Sequence, residues 1–191
     1  HTTNLAGFHG TFDGRGYTVS GFKYATGGVF GDVGRYSVIK NVAFINCIVG
    51  PNAESASSVL AANANGATVE NVLITATVSA RFSGAMFGRS SHSCTIDNSV
   101  IRLNVVTEGL GTPFNIGAVS SWTVYNSTLH NSYIIYDGSV EQVFGNTTTP
   151  TYGADTDMHE LKAEEIATTS FTGLSDTYWT VTAGEMPTFN S

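Results

Sequence analysis

Apolar and polar residues alternate in short runs along most of the chain, and several runs pass through an asparagine at the same phase. The shared pattern is an aliphatic residue, any residue, Asn, and then apolar positions in alternation. The asparagines follow each other at steps of 30, 27 and 28 residues, a regularity that indicates an internal structural repeat. The segments are Ile39–Phe44, Val69–Ile74, Ile96–Ile101 and Val124–Leu129.

A second element recurs between these segments: a small residue, then an apolar pair, and often a glycine. Units of about 28 residues with strand periodicity and no helical periodicity are typical of one coil of a solenoid. Leucine-rich repeats and propeller blades have other consensus patterns or lengths. The chain is therefore predicted to be all-β, a right-handed parallel β-helix of about five coils with one short C-terminal helix. The second element occurs at Gly28–Gly31, Ser58–Ala61, Gly84–Gly88, Gly117–Ser120 and Gln142–Gly145.

Each repeated Asn suits a corner of the coil, because Asn tolerates the left-handed backbone conformation. Its amide both donates and accepts, so stacked asparagines can bond to each other and to the backbone of the bend. We therefore expect an inward-facing structural ladder made of Asn41, Asn71, Asn98 and Asn126.

The residue before each Asn should point outward, since side chains alternate along a strand. Lys40 beside Glu70 would be a favourable cross-strand pair, and Glu70 beside Asp97 a pair of like charges. Tyr125 should face solvent at the equivalent place in the last repeat.

Residues 155–191 differ from the preceding coils, which span residues 1–154. Asp157 and Glu160 have the spacing of a helix capping box, so a short amphipathic helix is expected from Met158 to Thr168. An open solenoid end exposes strand edges and core. We expect this segment to cap the last coil and to bury three large apolar residues there, Leu161, Ile166 and Trp179.

Charge and composition narrow the class of partner. Charged residues make up only 12% of the chain and the net charge is −7, which disfavours nucleic acid, because a nucleic-acid binder neutralises phosphates with Lys and Arg. Seven basic and six acidic residues lie between His1 and Tyr136, whereas nine acidic residues and Lys162 follow.

No apolar run is long enough to predict a membrane span. The start at His1, without Met or a signal-like segment, favours a processed or excised piece.

The two cysteines stand at different phases of the repeat. Cys47 follows Asn41 by six residues, whereas Cys94 precedes Asn98 by four. Residues at different phases of a coil do not stack, so two free, buried thiols are expected.

The N-terminal region carries a family resemblance. Residues 12–22 read Phe-Asp-Gly-Arg-Gly-Tyr-Thr-Val-Ser-Gly-Phe, and Gly-Gly-Val-Phe-Gly and Ile-Lys-Asn-Val follow at residues 27–31 and 39–42. This order resembles the GLUG-type repeat of bacterial surface proteins, strongly over residues 8–49 and more weakly in later coils. The resemblance implies an extracellular β-helix, as in adhesins, non-catalytic parts of IgA-cleaving metallopeptidases, and phage or host-associated surface proteins. It implies an extracellular, cell-surface or virion-surface location and transfers no catalytic residue.

Motifs for metal, cofactor or nucleophilic chemistry do not occur in the sequence. The five histidines are scattered without ligand spacing, and Asp155 with Asp157 is only a weak Ca²⁺ pattern. Neither a metal nor a cofactor is predicted. Glu70 and Asp97 could in principle supply the carboxylate pair of a sugar hydrolase. An acidic-sugar face could instead use Arg81, Arg89 and Arg102.

Aromatic residues are the better candidates for binding, since an exposed ring can contact a sugar while its rim makes hydrogen bonds. They are concentrated at Trp122, Tyr125, Tyr133 and Tyr136. Packing against a loop or a sister subunit is the structural alternative for these residues.

These features favour a non-enzymatic extracellular binding or structural module that serves adhesion or glycan recognition. Its partner would be a surface glycan or a protein. A polysaccharide lyase or glycoside hydrolase is one alternative. A component of a phage fibre or surface filament, associating as a homo-oligomer, is the other.

Overall fold

A computed structural model describes residues 7–24, 27–50, 56–109, 115–137, 151–152 and 157–190. The described strands are β1 (Thr11–Asp13), β2 (Thr18–Ser20), β3 (Lys23–Tyr24), β4 (Asp32–Val33), β5 (Val38–Val49), β6 (Ala61–Asn65), β7 (Thr68–Val78), β8 (Phe82–Gly84), β9 (Phe87–His92), β10 (Thr95–Asp97), β11 (Val100–Val105), β12 (Asn115–Gly117), β13 (Thr123–His130), β14 (Ser132–Asp137), β15 (Thr151–Tyr152), β16 (Met158–Lys162), β17 (Trp179–Thr180) and β18 (Thr188–Phe189).

Strands β1 to β16 stack in parallel, coil upon coil, in a β-solenoid of about four turns, and β17 pairs with β18 in a separate antiparallel sheet. One face is formed by β5, β7, β11, β14 and β16. On this face β2 and β3 pair with the edge of β5 that does not pair with β7. A second face is formed by β4, β6, β9 and β13, and the short strands β8 and β12 pair between the two. The predicted all-β parallel β-helix is thus confirmed. The repeat element at residues 142–145 lies outside the described residues.

The coil turns at two corners where the backbone is left-handed. At the first, the angle φ is 54°, 52°, 49° and 44° at Asn41, Asn71, Asn98 and Asn131. Strand pairing sets Asp97 against His130, so the residue that stacks on Asn98 is Asn131. The second corner also has positive φ and consists of Tyr36, Gly66, Ser93 and Asn126.

Asn126 is therefore wrongly placed in the predicted ladder. Tyr125 pairs with His92, which aligns Asn126 with Ser93, and Asn126 is exposed whereas Asn71 is 2% exposed. The ladder prediction holds for the first three asparagines, and the corner position that follows Asn98 is occupied by Asn131.

Columns of stacked apolar side chains fill the interior. In one such column, Phe44, Ile74, Ile101 and Ile134 follow each other across neighbouring strands. Burying each such side chain contributes roughly 1.5–3 kcal/mol. The next residue in this column is Glu160 on β16, which is exposed. A charge at an inward position ends the stack, because another strand added there would have to bury it.

The predicted helix from Met158 to Thr168 is wrong in its first half. Met158–Lys162 forms β16, which pairs in parallel with β14, and only Ala163–Thr168 is helical, as a 3-10 helix. The open edge of β14 supplies backbone partners that a helix over these residues would forgo. The capping contact lies at Lys162, whose backbone N–H donates to Glu165 Oε2 at 2.7 Å.

The remaining C-terminal residues, 163–190, form a strap along the outside of the long-strand face. The strap covers outward-facing residues of successive coils, whereas the sequence predicted a cap over the end of the last coil. Trp179 is buried as predicted, but Leu161 and Ile166 are only half-buried. The covered residues are Ala43, Leu73, Val100, Tyr133 and Ile135, and the buried strap residues packed on them are Phe171 and Trp179.

Both cysteines are free and buried, as predicted. Burial raises the pKa of the Cys47 thiol to about 11 and also raises the pKa of Cys94. Since the thiolate is the reactive form, we expect the native protein to resist a thiol reagent such as DTNB at pH 7. Both thiols should react promptly in denaturant. A native thiol that reacts as fast as a free cysteine would contradict this burial.

Candidate functional site

The asparagine ladder is a continuous chain of side-chain hydrogen bonds. Asn41 Nδ2 donates to Asp13 Oδ1 at 3.0 Å, and Asn71 Nδ2 donates to Asn41 Oδ1 at 3.0 Å. Asn98 Nδ2 continues the chain to Asn71 Oδ1, and the backbone N–H of Ser175 donates to Asn98 Oδ1 at 2.9 Å. A carboxylate from the first coil and a strap amide thus terminate the ladder. Its amides are engaged with each other, so the ladder is structural.

Asp13 is held as an acceptor at the start of this ladder. The backbone N–H of Arg15 and the amide of Asn41 lower the pKa of its carboxyl below the usual value. An ionised acceptor suits this end of the chain, because every amide along the ladder donates in the same direction.

A charged column runs beside the ladder on the outside of the coil. Glu70 and Asp97 are adjacent in register as predicted, with Lys40 before them and His130 after them. Asn71 Nδ2 lies 3.4 Å from Glu70 Oε1, and the Asn131 amide lies 3.5 Å from Asp97 Oδ1. Amide donors of the corner thus lie beside both carboxylates and reduce the cost of stacking two like charges.

Two of the four candidate aromatic residues are buried and do not belong to an exposed surface. Tyr133 is 2% exposed and Tyr136 is 3% exposed. The Tyr133 hydroxyl donates to the Thr172 carbonyl at 2.7 Å, and its ring stacks on His159 at 4.6 Å between centroids. Both tyrosines lie on β14, which has the solenoid core on one side and the strap on the other.

The other two candidate aromatic residues are exposed on the opposite side of the coil. Trp122 is 44% exposed and Tyr125 is 56% exposed, as predicted for Tyr125. Tyr125 pairs in register with His92, and the two ring centroids are 6.0 Å apart. We refer to these two residues as the His92–Tyr125 pair.

Trp122 belongs to a group of two adjacent rings, each contacted by one arginine, from neighbouring coils. The Arg81 guanidinium lies 5.4 Å from the Phe82 ring centroid, and the Arg89 guanidinium lies 5.3 Å from that of Trp122. The two rings are 5.9 Å apart. The backbone N–H of Trp122 donates to the Arg89 carbonyl at 3.1 Å, which fixes their relative position. We call Arg81, Phe82, Arg89 and Trp122 the aromatic–arginine surface.

Arg102 does not join Arg81 and Arg89. It borders an open groove of about 560 Å³ on the long-strand face. Its Nε and Nη2 atoms donate to Asp137 at 2.6 and 3.0 Å, and this hydrogen-bonded carboxylate raises the pKa of Arg102. The guanidinium is thus committed to Asp137. The three arginines of the predicted face therefore lie at two separate places, Arg81 and Arg89 at one and Arg102 at the other.

Other kinds of site find little support in the described part of the chain. There, no three His, Cys, Asp or Glu side chains gather in a group able to hold a metal. Asp157 lies 3.3 Å from His159, and Asp155 falls outside the described residues. None of the helical residues described forms a segment long and apolar enough to cross a membrane.

The aromatic–arginine surface is therefore the candidate site. Sequence reasoning identified Trp122, Arg81 and Arg89 separately but missed Phe82 as their connection. The adjacent letters Arg81-Phe82, at the start of a strand, were the available signal. Comparison of the chain with protein-family models, curated proteins and solved structures gave no match.

Proposed function

We propose that this chain is a non-enzymatic extracellular binding module that recognises glycans at a cell or virion surface. The observation that carries this proposal is the exposed Trp122 held between Phe82 and Arg89. An exposed ring that is already ordered contacts a sugar without a large loss of side-chain entropy.

The scaffold supports such a role, because strand register fixes the spacing of its outward side chains. Trp122 directly precedes β13, and the His92–Tyr125 pair bridges β9 and β13. Binding groups carried on rigid strands keep their geometry better than groups on loops. The GLUG-like residues 8–49 support the extracellular location.

Trp122→Ala should weaken binding to an immobilised polysaccharide by about tenfold or more, corresponding to the loss of one ring contact. Tyr125→Ala should weaken binding less, because Tyr125 lies beside the aromatic–arginine surface and is not part of it. Tyr17→Ala is the matched control, since Tyr17 is 75% exposed on another coil. Surface plasmon resonance against a polysaccharide panel measures all three variants. Equal losses in Trp122→Ala and Tyr17→Ala would contradict the proposed site.

The same panel separates binding from catalysis. We expect the bound polysaccharides to keep their chain length, as read by reducing ends and viscosity. If chains shortened and either Glu70→Gln or Asp97→Asn abolished the shortening, a polysaccharide-degrading enzyme would replace the binding module.

A further inference from the structure

The groove beside the strap has a polar floor whose arrangement is fixed by strand pairing. Arg102 stacks on Thr75, and Asn104 stacks on Thr77 and is followed by Asp137. Thr75 and Thr77 point to the same side of β7, because side chains two residues apart share a face of the strand. The lining comes from β5, β7, β11 and β14, so the groove extends over three strand spacings, or about 14 Å. Its volume of about 560 Å³ is in the range typical of small-ligand sites.

This groove carries no net charge, although the whole chain is acidic. Of the described residues that line it, Arg102 and Asp137 are the charged ones, and they form an ion pair with N–O distances of 2.6 and 3.0 Å. An anion would have to compete with Asp137 for the guanidinium, and a cation would have to compete with Arg102 for the carboxylate. Hydroxyls and amides make up most of the remaining lining. The groove therefore favours a neutral, polar ligand.

Arg102 is held in position and keeps donors for such a ligand. A guanidinium has five N–H donors, and Asp137 accepts one from Nε and one from Nη2. The Nη1 atom lies 3.9 Å from Met186 Sδ on the strap, and a thioether is only a weak acceptor. The ion pair thus orients the guanidinium, and its remaining N–H groups can donate to a neutral acceptor.

The neighbouring hydroxyls and amide add acceptors and further donors. The backbone N–H of Asn46 donates to Thr75 Oγ1 at 2.8 Å, so this hydroxyl still has its own hydrogen to donate. Asn104 Nδ2 lies 3.5 Å from Thr77 Oγ1, and none of the described residues donates to Asn104 Oδ1. Donors and acceptors therefore lie side by side on the floor. Adjacent hydroxyls of a sugar ring need this arrangement, because each hydroxyl both donates and accepts.

We propose that this groove binds a short neutral oligosaccharide, with sugar hydroxyls on Arg102, Asn104 and the two threonines of β7. The strand spacing of about 4.8 Å is close to the length that one sugar unit adds to an extended β-linked chain, so about three units match the groove. Half-buried Ile48 offers an apolar contact for the C–H groups of a sugar ring. The groove lies on the long-strand face, whereas Trp122 directly precedes a strand of the second face. This site therefore goes beyond the proposed function and does not depend on it.

The test is isothermal titration of the full chain with five probes. Maltotriose, cellotriose and triacetylchitotriose are the neutral sugars, trigalacturonate is the anionic sugar, and triserine is the peptide. We expect at least one neutral sugar to bind, and trigalacturonate and triserine not to bind. Added salt should leave the affinity for the neutral sugar unchanged, because salt screens interactions between charges and this ligand carries none.

Two alanine variants and one tryptophan variant locate the sugar. Asn104→Ala should weaken binding about three- to tenfold, which corresponds to one or two lost hydrogen bonds. Asn65→Ala is the matched control, since it removes the same amide from an exposed strand residue of the second face, and it should leave binding unchanged. Trp122→Ala should also leave the affinity for the trisaccharide unchanged. Unchanged melting temperatures show that the variants are folded.

Asp137→Asn should reverse the charge preference of the groove. The variant leaves Arg102 without its carboxylate, so binding of the neutral sugar should weaken about threefold or more as the guanidinium loses its orientation. Trigalacturonate should now bind, with an affinity that falls as salt is added.

The contrary outcomes are distinct. Absence of binding to all three neutral sugars would overturn the groove site and leave the polysaccharide test of Trp122 unaffected. Binding that is lost in Trp122→Ala but kept in Asn104→Ala would place the sugar on the aromatic–arginine surface and also overturn the groove site. Equal losses in Asn104→Ala and Asn65→Ala would contradict a specific contact with Asn104. Tighter binding of triserine than of any sugar would assign the groove to peptides, and tighter binding of trigalacturonate would overturn the neutral ligand.

Discussion

Asn71→Ala is expected to lower the free energy of unfolding by about 3–7 kcal/mol. The substitution removes one amide bond to Asn41 and one to Asn98 and leaves their ladder atoms unpaired in a buried corner. Each unpaired polar group of this kind costs about 1–3 kcal/mol. Alanine must also adopt the left-handed backbone at φ 52°, which adds roughly 1 kcal/mol.

Asn126→Ala is the matched control for this prediction. Asn126 has the same φ of 52° but lies exposed at the other corner, so only the backbone cost of about 1 kcal/mol applies. Urea unfolding followed by circular dichroism measures both variants. Equal destabilisation by the two substitutions would show that the ladder contributes nothing beyond backbone conformation.

Trp179→Ala is expected to destabilise the protein by roughly 3–5 kcal/mol, the usual cost of emptying a large buried aromatic site. The Trp179 side chain is 2% exposed, and its ring lies 5.0 Å from that of Phe189. Its Nε1–H donates to the Asn98 carbonyl at 3.1 Å. The substitution therefore loosens the strap at the point where it meets the ladder.

Deleting residues 155–191 should have a larger effect than Trp179→Ala and cause aggregation, because the deletion uncovers the outer apolar face and removes β16.

Trp122→Ala provides the comparison, since Trp122 is 44% exposed and surface substitutions usually change stability by about 0.5 kcal/mol or less. Thermal and denaturant unfolding should therefore separate the two tryptophans clearly. A Trp179→Ala or truncated protein that stays monomeric with an unchanged melting temperature would show that the strap is an appendage.

The first three ladder residues were predictable because each corner needs a residue that tolerates positive φ and hydrogen bonds to its neighbours. The fourth was not, since Val124-Tyr125-Asn126 and Leu129-His130-Asn131 both fit the pattern. Asn126 and Asn131 both have a left-handed backbone conformation, but they occupy different corners. Strand pairing shows which of them stacks on Asn98, and the spacing of asparagines in the sequence does not.

The C-terminal region shows where local patterns give way to tertiary contacts. The residues of Met158–Lys162 are compatible with a helix, but this segment pairs with the edge of β14 and forms a strand. The burial of Tyr133 and Tyr136 follows from apolar cover on both faces of β14. The nearly continuous apolar run Tyr-Ile-Ile-Tyr at residues 133–136 was a signal of this, because strands buried on both faces lose their alternation.

The candidate site depends on residues that are distant in sequence. Phe82 and Trp122 meet only because successive coils stack, and the loop lengths that bring them together follow no motif. Composition indicated only that charged residues are few. The coil-to-coil register was needed to show that two aromatic rings and two arginines meet on the surface.

The most direct test of the glycan-binding account uses the two tryptophans as internal probes. The sequence contains only Trp122 and Trp179, so the indole N–H region of a nitrogen-15 correlation spectrum holds one signal from the exposed ring and one from the buried ring. On addition of a polysaccharide that binds, the Trp122 signal should shift or broaden and the Trp179 signal should stay in place. Binding that leaves Trp122 unchanged, or that moves Trp179 instead, would contradict the account.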